Sequence, residues 1–141
     1  MCSNYYKALV RSDAAERKAG WDAIVLGLER FSAELEAGAG DSPFLCGADL
    51  SVADVALLPW ALRLHIFEHH RGWTVPDSPA LAAYRRWLAA AQSLDCVAST
   101  TPEEARYVEH IAKYADGTAR SKVANAVRRG AGAHEFDDER D

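Results

Sequence analysis

Cysteine is scarce in this 141-residue chain, and the three cysteines lie far apart. They are Cys2, Cys46 and Cys96, an odd number at irregular spacing, which argues against a disulfide framework of the kind that holds small secreted domains together. Free thiols persist in a reducing compartment, so the sequence predicts a cytoplasmic protein.

Long apolar runs are also missing from the chain. The longest spans residues 55–62 and contains Pro59, whereas a membrane-spanning helix needs about 20 apolar residues. No apolar segment follows Met1 as the core of a secretory signal would. We therefore expect neither a membrane span nor a signal peptide.

The chain also lacks basic character, since its net charge is −5. Residues 131–141 hold five acidic residues and one arginine, a net charge of −4, so the remainder is nearly neutral. Nucleic-acid-binding surfaces are basic, and nothing in this distribution suggests one. We predict one domain over residues 1–130 and an acidic, disordered tail over residues 131–141.

What the sequence does contain is helical periodicity. Apolar residues recur at spacings of three and four, which predicts a long amphipathic helix that begins near Asp13 and stops at Gly38. Residues 38–43 form a loop rich in glycine and proline. No segment shows the alternation of a strand, so the predicted fold class is all-α. The periodic apolar positions are Trp21, Ile24, Val25, Leu28, Phe31 and Leu35.

The apolar run after Ser51 is the most informative segment. Ser51 and Asp54 have the spacing of a capping box, in which each side chain accepts a hydrogen bond from the other residue's backbone N–H. Loss of either side chain should cost about 1–2 kcal/mol. Residues 52–66 are almost entirely apolar, and a helix apolar on all sides lies inside a bundle. Because Pro59 removes one backbone hydrogen bond, we predict a kinked, buried central helix that ends near Gly72.

The remaining helices have their own start and stop signals. Ser78 precedes a proline at a predicted helix start, and Thr101 forms a second capping-box pattern with Glu104. The Asp-Gly pair at residues 116–117 can divide the last helical segment in two, and Gly130 closes it. The pattern thus predicts a bundle of several short helices after the central one.

The segment around the central helix resembles the C-terminal, all-helical domain of the glutathione transferase family. The family pattern there is F-L-x-G, then S/T-x-A-D, then an apolar helix that often contains P-W or P-F and ends in Arg. In this chain residues 44–47 read FLCG, residues 51–54 read SVAD, residues 59–60 read PW, and Arg63 follows.

The resemblance extends on both sides of that segment and covers about residues 4–99. Residues 4–9 are similar to the later part of the first helix of that domain in omega-like members. Residues 79–87 are similar to its P-x-L…W helix, and the part after Thr101 is similar to some fungal-type members. The resemblance implies a glutathione transferase C-terminal-like helical bundle.

The resemblance also implies a function. It identifies the chain as the hydrophobic-substrate-binding half of an enzyme that conjugates or reduces an electrophile with glutathione, the electrophile being a xenobiotic or a secondary metabolite. The family's thioredoxin-like domain binds glutathione and holds the catalytic Ser, Cys or Tyr, and no segment of this chain reads as that domain. We therefore expect no catalytic residue and no bound cofactor here. Glutathione as co-substrate would come with a thioredoxin-like domain or chain.

An alternative function keeps the same fold. The chain would act as a stand-alone, non-catalytic module that binds a ligand or assembles with other proteins. Without the thioredoxin-like partner such a domain exposes apolar surface, which a homodimer could cover.

Four residues are candidates for contacting the electrophile. In omega-like relatives the tryptophan of the P-W pair walls the substrate pocket, which assigns that role to Trp60, with core packing as the alternative. Tyr5 and Tyr6 match a position where one tyrosine faces the same pocket, and helix packing explains them equally well. Arg63 could hold a substrate carboxylate, although an internal pair is the favoured interpretation.

Residues 65–69 spell H-x-x-E-H, a string found in zinc proteases. Histidines four apart do share a helix face, but no third ligand has a convincing context. His69 and His70 are better explained as polar residues at a helix C-terminus, where the helix dipole favours positive charge. We predict no metal site.

Overall fold

The computed structural model describes residues 2–38 and 42–132. Within them the fold is all-α, as predicted, and the only β-type pairing is an isolated bridge between Phe44 and Gly47. Beyond residue 132 the predicted acidic tail lies outside the described residues, as does most of the predicted loop after Gly38. The helices are α1 (Cys2–Val10), α2 (Ala14–Gly38), α3 (Val52–Ala61), α4 (His65–Arg71), α5 (Ala82–Gln92), α6 (Asp95–Ala98), α7 (Glu104–Ala115) and α8 (Lys122–Arg129), with a 3₁₀ turn at Pro79–Leu81.

Helix α2 confirms the long amphipathic helix. It begins one residue after Asp13, whose carboxylate accepts a hydrogen bond from the N–H of Glu16 at 2.8 Å. Gly20 lies against α1, and a side chain there would meet the backbone of Ala8. Helix α1 therefore packs unusually close to α2, and this close contact determines where the side chains of α1 lie. Of the predicted stripe, Trp21, Ile24, Leu28 and Leu35 are buried, while Val25 and Phe31 are partly buried against the core.

The capping box at the start of α3 is confirmed. Asp54 Oδ2 accepts from the N–H of Ser51 at 2.8 Å, and Ser51 Oγ accepts from the N–H of Asp54 at 3.4 Å. The Asp54 side chain is fully buried. Its second oxygen, Oδ1, accepts hydrogen bonds from the N–H of Leu45 at 3.2 Å and from Nε1 of Trp87 at 2.8 Å, so both carboxylate oxygens are paired. Asp54 thus joins three parts of the chain.

The distortion predicted at Pro59 is present, but it is a break rather than a bend within one helix, because α3 ends at Ala61 and α4 begins at His65. Pro59 has no N–H to donate to the preceding turn. Just after it the backbone changes to hydrogen bonds three residues apart, from Arg63 to Trp60 and from Leu64 to Ala61. The chain then continues as α4 to Gly72, whose φ of 68° closes the helix at the predicted position.

The prediction that this helix is buried on nearly every side was wrong. In α3 only Asp54, Leu58 and Ala61 are buried. Val52 is 87% exposed and Val55 is 55% exposed. The first half of α3 therefore presents an apolar face to the outside of the described bundle.

Two predicted caps are absent for identifiable reasons. The hydroxyl of Thr101 donates to the carbonyl of Val97 at 2.7 Å, so it belongs to the turn after α6, and α7 begins at Glu104 without a side-chain cap. Ser78 is followed by a 3₁₀ turn and makes no capping hydrogen bond. The split after Ala115 and the end of α8 at Gly130, with a φ of 108°, are confirmed.

Arg71 fastens the end of α4 to two other helices. Its Nη2 donates to the carbonyl of Leu9 at 2.8 Å and to that of Ala115 at 2.7 Å. Those carbonyls lie at the C-terminal ends of α1 and α7, where helices leave oxygens without intrahelical partners. One guanidinium therefore connects the C-terminal ends of α1 and α7, two of the helices that surround the cleft described next.

Candidate functional site

A cleft of about 530 Å³ lies among α1, α3, α7 and α8. We call it the aromatic cleft. It brings together all four residues that the sequence singled out for substrate contact, although they are up to 58 positions apart in sequence. The side chains that matter for its chemistry are Tyr5, Tyr6, Trp60, Arg63, Tyr107 and Tyr114. The capping residues Ser51 and Asp54 lie elsewhere, at the start of α3.

Trp60 forms the middle of an aromatic cluster. Its ring lies edge-on to Tyr5, with centroids 5.2 Å apart, and to Tyr6, with centroids 5.9 Å apart. Such T-shaped contacts fix ring orientation and add about 0.5–1.5 kcal/mol beyond burial. Because Trp60 is only partly buried, some of its ring surface remains open to the cleft. That surface can stack on an aromatic ligand.

The two tyrosines of α1 have different environments. Tyr5 is 2% exposed, and its hydroxyl lies 3.4 Å from that of Tyr107. Burial and that hydrogen bond raise the pKa of Tyr5 above its ordinary range, so the phenol stays neutral. Tyr5 is therefore a buried side chain that forms part of the cleft wall, while Tyr6 is partly buried and more accessible from the cleft.

Arg63 does not have the internal carboxylate partner that the sequence interpretation favoured. No ion pair among the described residues involves it. Instead the guanidinium carbon lies 5.2 Å from the centre of the Tyr107 ring, a cation–π contact. Because a cation–π contact uses the face of the guanidinium, the N–H groups of Arg63 can still donate hydrogen bonds to an acceptor.

The H-x-x-E-H string does not assemble a metal centre in the part of the chain that the structure describes. No group of three or more His, Cys, Asp or Glu side chains there has suitable positions. His65 Nδ1 lies 3.0 Å from the carbonyl of Leu62, which requires that nitrogen to carry the proton. His69 is exposed and lies edge-on to His70.

Sequence reasoning missed the contribution of α7 to the cleft. Tyr107, His110 and Tyr114 all line it. Their spacing of three and four places them on one helix face. The sequence predicted a helix after Thr101 but carried no information on which face of that helix borders a cleft.

The comparisons with known proteins agree with the fold. None of the described helices is both long and apolar enough to cross a membrane. A search of curated protein sequences found no match. The family model described as glutathione S-transferase, C-terminal domain, matches residues 14–90, more than half of the chain. That range includes Trp60 and Arg63, and the chain therefore belongs to the glutathione S-transferase C-terminal domain family.

Proposed function

We propose that this chain is the hydrophobic-substrate-binding half of a glutathione transferase that conjugates or reduces an electrophile, either a xenobiotic or a secondary metabolite. Membership of the family supports the general class. The observation that carries the proposal is the convergence of Trp60, Tyr6 and Arg63 on one cleft of a size suited to small organic ligands.

The chemistry is divided between two halves. A thioredoxin-like domain or chain would hold glutathione and lower the pKa of its thiol, so that the thiolate attacks the electrophile. In a conjugation the new S–C bond forms as the leaving group departs with its electron pair. This chain contributes orientation, because a ring held against Trp60 presents its electrophilic carbon in a restricted geometry.

Binding to the aromatic cleft can be tested without glutathione. We expect 1,3-dinitrobenzene, an arene with no good leaving group, to shift the indole N–H signal of Trp60 in ¹H–¹⁵N NMR spectra. Trp60→Ala should weaken binding about 3–10-fold, as loss of an aromatic contact does. Trp73→Phe is the matched control, since Trp73 is also partly buried but packs against Trp21 outside the cleft. Equal affinity in both variants would contradict the proposal.

A second candidate function is a stand-alone module that binds a ligand or assembles with other proteins. The exposed apolar face of α3 supports it, because Val52 is 87% exposed and Val55 is 55% exposed among the described residues. A homodimer is one arrangement that would bury them. Sedimentation velocity on the purified chain and on Val52→Asp tests this: a dimer that the substitution dissociates favours the module.

The mass of the endogenous protein separates the two functions. An immunoblot with an antibody to this region gives a band clearly above 15.4 kDa if the domain belongs to a two-domain enzyme. A band at 15.4 kDa would favour the module, or an enzyme assembled from two chains.

A further inference from the structure

A second cleft, of about 470 Å³, lies between α4, α5 and the segment over residues 73–78 that connects them. We call it the acidic cleft. The end of α3 and the first residue of α7 complete its walls. It shares no lining residue with the aromatic cleft, so the two are separate sites. Its volume lies within the range of small-molecule pockets, about 300–1,000 Å³.

A buried tyrosine hydroxyl without a partner lines the acidic cleft. Tyr84 is 2% exposed, and its backbone N–H is paired with Oγ of Ser32 at 3.2 Å, but no hydrogen bond among the described residues involves its hydroxyl. Burial raises the pKa of Tyr84 to about 12, so the phenol stays neutral. Buried tyrosine hydroxyls usually have a hydrogen-bond partner. The hydroxyl of Tyr84 is therefore available to a ligand.

The charged residues of the acidic cleft are mostly carboxylates. Glu68, Asp77 and Glu104 line it together with a single arginine, Arg85. Arg85 already pairs with Asp77 at 3.0 Å and donates to two backbone carbonyls of the connecting segment. Glu68 and Glu104 are exposed, and no ion pair among the described residues involves either of them. The mouth of the cleft thus carries two carboxylates without a cation.

We propose that the acidic cleft binds a short aliphatic amino alcohol, with an ammonium group at one end and a hydroxyl group at the other. The ammonium group donates to the carboxylates of Glu68 and Glu104 at the mouth. The alkyl chain lies against Leu64 and Leu88, which are buried and partly buried, and the hydroxyl group forms a hydrogen bond with Tyr84. This proposal does not depend on the aromatic cleft or on glutathione chemistry.

The charge distribution decides between the classes of ligand. An anion would be repelled by the two unpaired carboxylates, whereas an ammonium group is attracted by both. Trp73 also lines the cleft, and aromatic rings attract organic cations. At the buried end a second ammonium group would lose its hydration beside a neutral phenol, so an uncharged hydroxyl is favoured there.

The test is a ¹H–¹⁵N NMR titration of the chain with 5-amino-1-pentanol. The comparison ligands are 1,5-pentanediol, which lacks the charge, and pentylamine, which lacks the hydroxyl group. We expect saturable shifts at the backbone amides of residues 73–75 and 84. The dissociation constant should be at least about fivefold weaker for the diol and at least about threefold weaker for pentylamine. The proposal is overturned if 5-amino-1-pentanol does not saturate, or if the diol binds as tightly.

Variants test each contact separately. Tyr84→Phe removes only a hydroxyl that has no partner, so the variant should fold as the wild type does. It should weaken 5-amino-1-pentanol at least about threefold and leave pentylamine unchanged. The double variant Glu68→Gln, Glu104→Gln should weaken both amines at least about fivefold. Glu103→Gln is the matched control, since residue 103 is exposed and does not line the cleft.

Three outcomes with these variants would overturn the proposal. If Tyr84→Phe leaves 5-amino-1-pentanol unchanged, the hydroxyl end is not in the cleft. If Glu103→Gln weakens binding as much as the double variant, the amine responds only to general negative charge. If Trp60→Ala weakens binding as much as the double variant, the ligand occupies the aromatic cleft, which Trp60 lines.

Discussion

Nε1 of Trp87 donates a hydrogen bond to Oδ1 of Asp54 at 2.8 Å, although the two residues are 33 positions apart. Both side chains are fully buried. The contact connects the start of α3 to the middle of α5, so a local helix cap becomes a tertiary link. The position of α3, and hence of Trp60 near its end, depends on that link.

Asp54→Ala should destabilise the chain by about 3–4 kcal/mol, more than the 1–2 kcal/mol of an ordinary cap. The substitution leaves the buried donor of Trp87 and the part-buried donors of Leu45 and Ser51 without an acceptor, and an unsatisfied buried donor costs about 1–3 kcal/mol. Urea unfolding followed by far-UV circular dichroism measures the change. Ser51→Ala is the comparison and should cost about 1 kcal/mol. Equal losses in the two variants would refute the tertiary role of Asp54.

The chain should become less stable in acid because the Asp54 carboxylate becomes protonated. Burial alone would raise the pKa of Asp54, but hydrogen bonds from Ser51, Trp87 and Leu45 outweigh it and hold the pKa below the ordinary 3.8. A carboxyl whose pKa is lower folded than unfolded stabilises the fold above the unfolded pKa. That stabilisation is lost as pH falls through the folded pKa.

The pH prediction is tested with Asp54→Asn, which cannot ionise at that position. We expect the difference in unfolding free energy between wild type and variant to shrink as pH falls from about 5 to 2.5. Urea unfolding at several pH values measures it. Asp49→Asn, at an exposed site, is the control and should follow the wild type. A constant difference down to the lowest pH would show that Asp54 does not carry the effect.

Gly20→Ala should destabilise the contact between α1 and α2. A Cβ at residue 20 would lie 2.8 Å from the backbone nitrogen of Ala8 and 3.2 Å from the carbonyl oxygen of Asn4, so the helices must separate. Overpacking of this kind costs about 1–3 kcal/mol. Gly27→Ala in the same helix meets nothing within 4 Å and should stabilise by about 1 kcal/mol. Thermal unfolding of the two variants measures both changes in stability. If both variants were stabilised, or both destabilised, the close packing of α1 on α2 would be contradicted.

Arg63 should discriminate between charged and neutral arenes in the aromatic cleft. We expect Arg63→Met to weaken binding of 4-nitrobenzoate at least about tenfold, since a charge-assisted hydrogen bond is worth about 1.5–3 kcal/mol. Nitrobenzene, which lacks the carboxylate, should bind the variant and the wild type alike. Isothermal titration calorimetry measures both ligands. Arg106→Met, at an exposed position of α7, is the control. A similar loss for both arenes would mean that Arg63 acts only through packing.

Local patterns predicted much of this fold. Spacing alone predicted α2 to within one residue of its start, and glycines at residues 72 and 130 end α4 and α8 as expected. The predictions that failed, among them the two helix caps, did so because other groups in the fold compete for the same hydrogen bonds. Thr101 is at the position of an N-cap in the sequence pattern, but its hydroxyl donates a hydrogen bond to the carbonyl of Val97 instead.

The site was predicted in part. Trp60, Tyr5, Tyr6 and Arg63 came from the family resemblance, and the structure places all four around one cleft. Tyr107 was predicted only as part of the helix that follows Thr101, because a local helical pattern does not indicate what each face of the helix contacts. The partner of Arg63 was predicted wrongly, since the sequence contains many carboxylates and no information on which of them is near.

By itself the sequence determined the all-α class, the capped start of α3 and the family, because these depend on spacing between near neighbours. Only the tertiary structure decided that Asp54 meets Trp87, that Arg63 rests on Tyr107, and that α3 is exposed along its first half. The physical reason is distance along the chain. Helix caps and periodic faces form within a few residues, whereas clefts and buried pairs arise when helices far apart in sequence pack together.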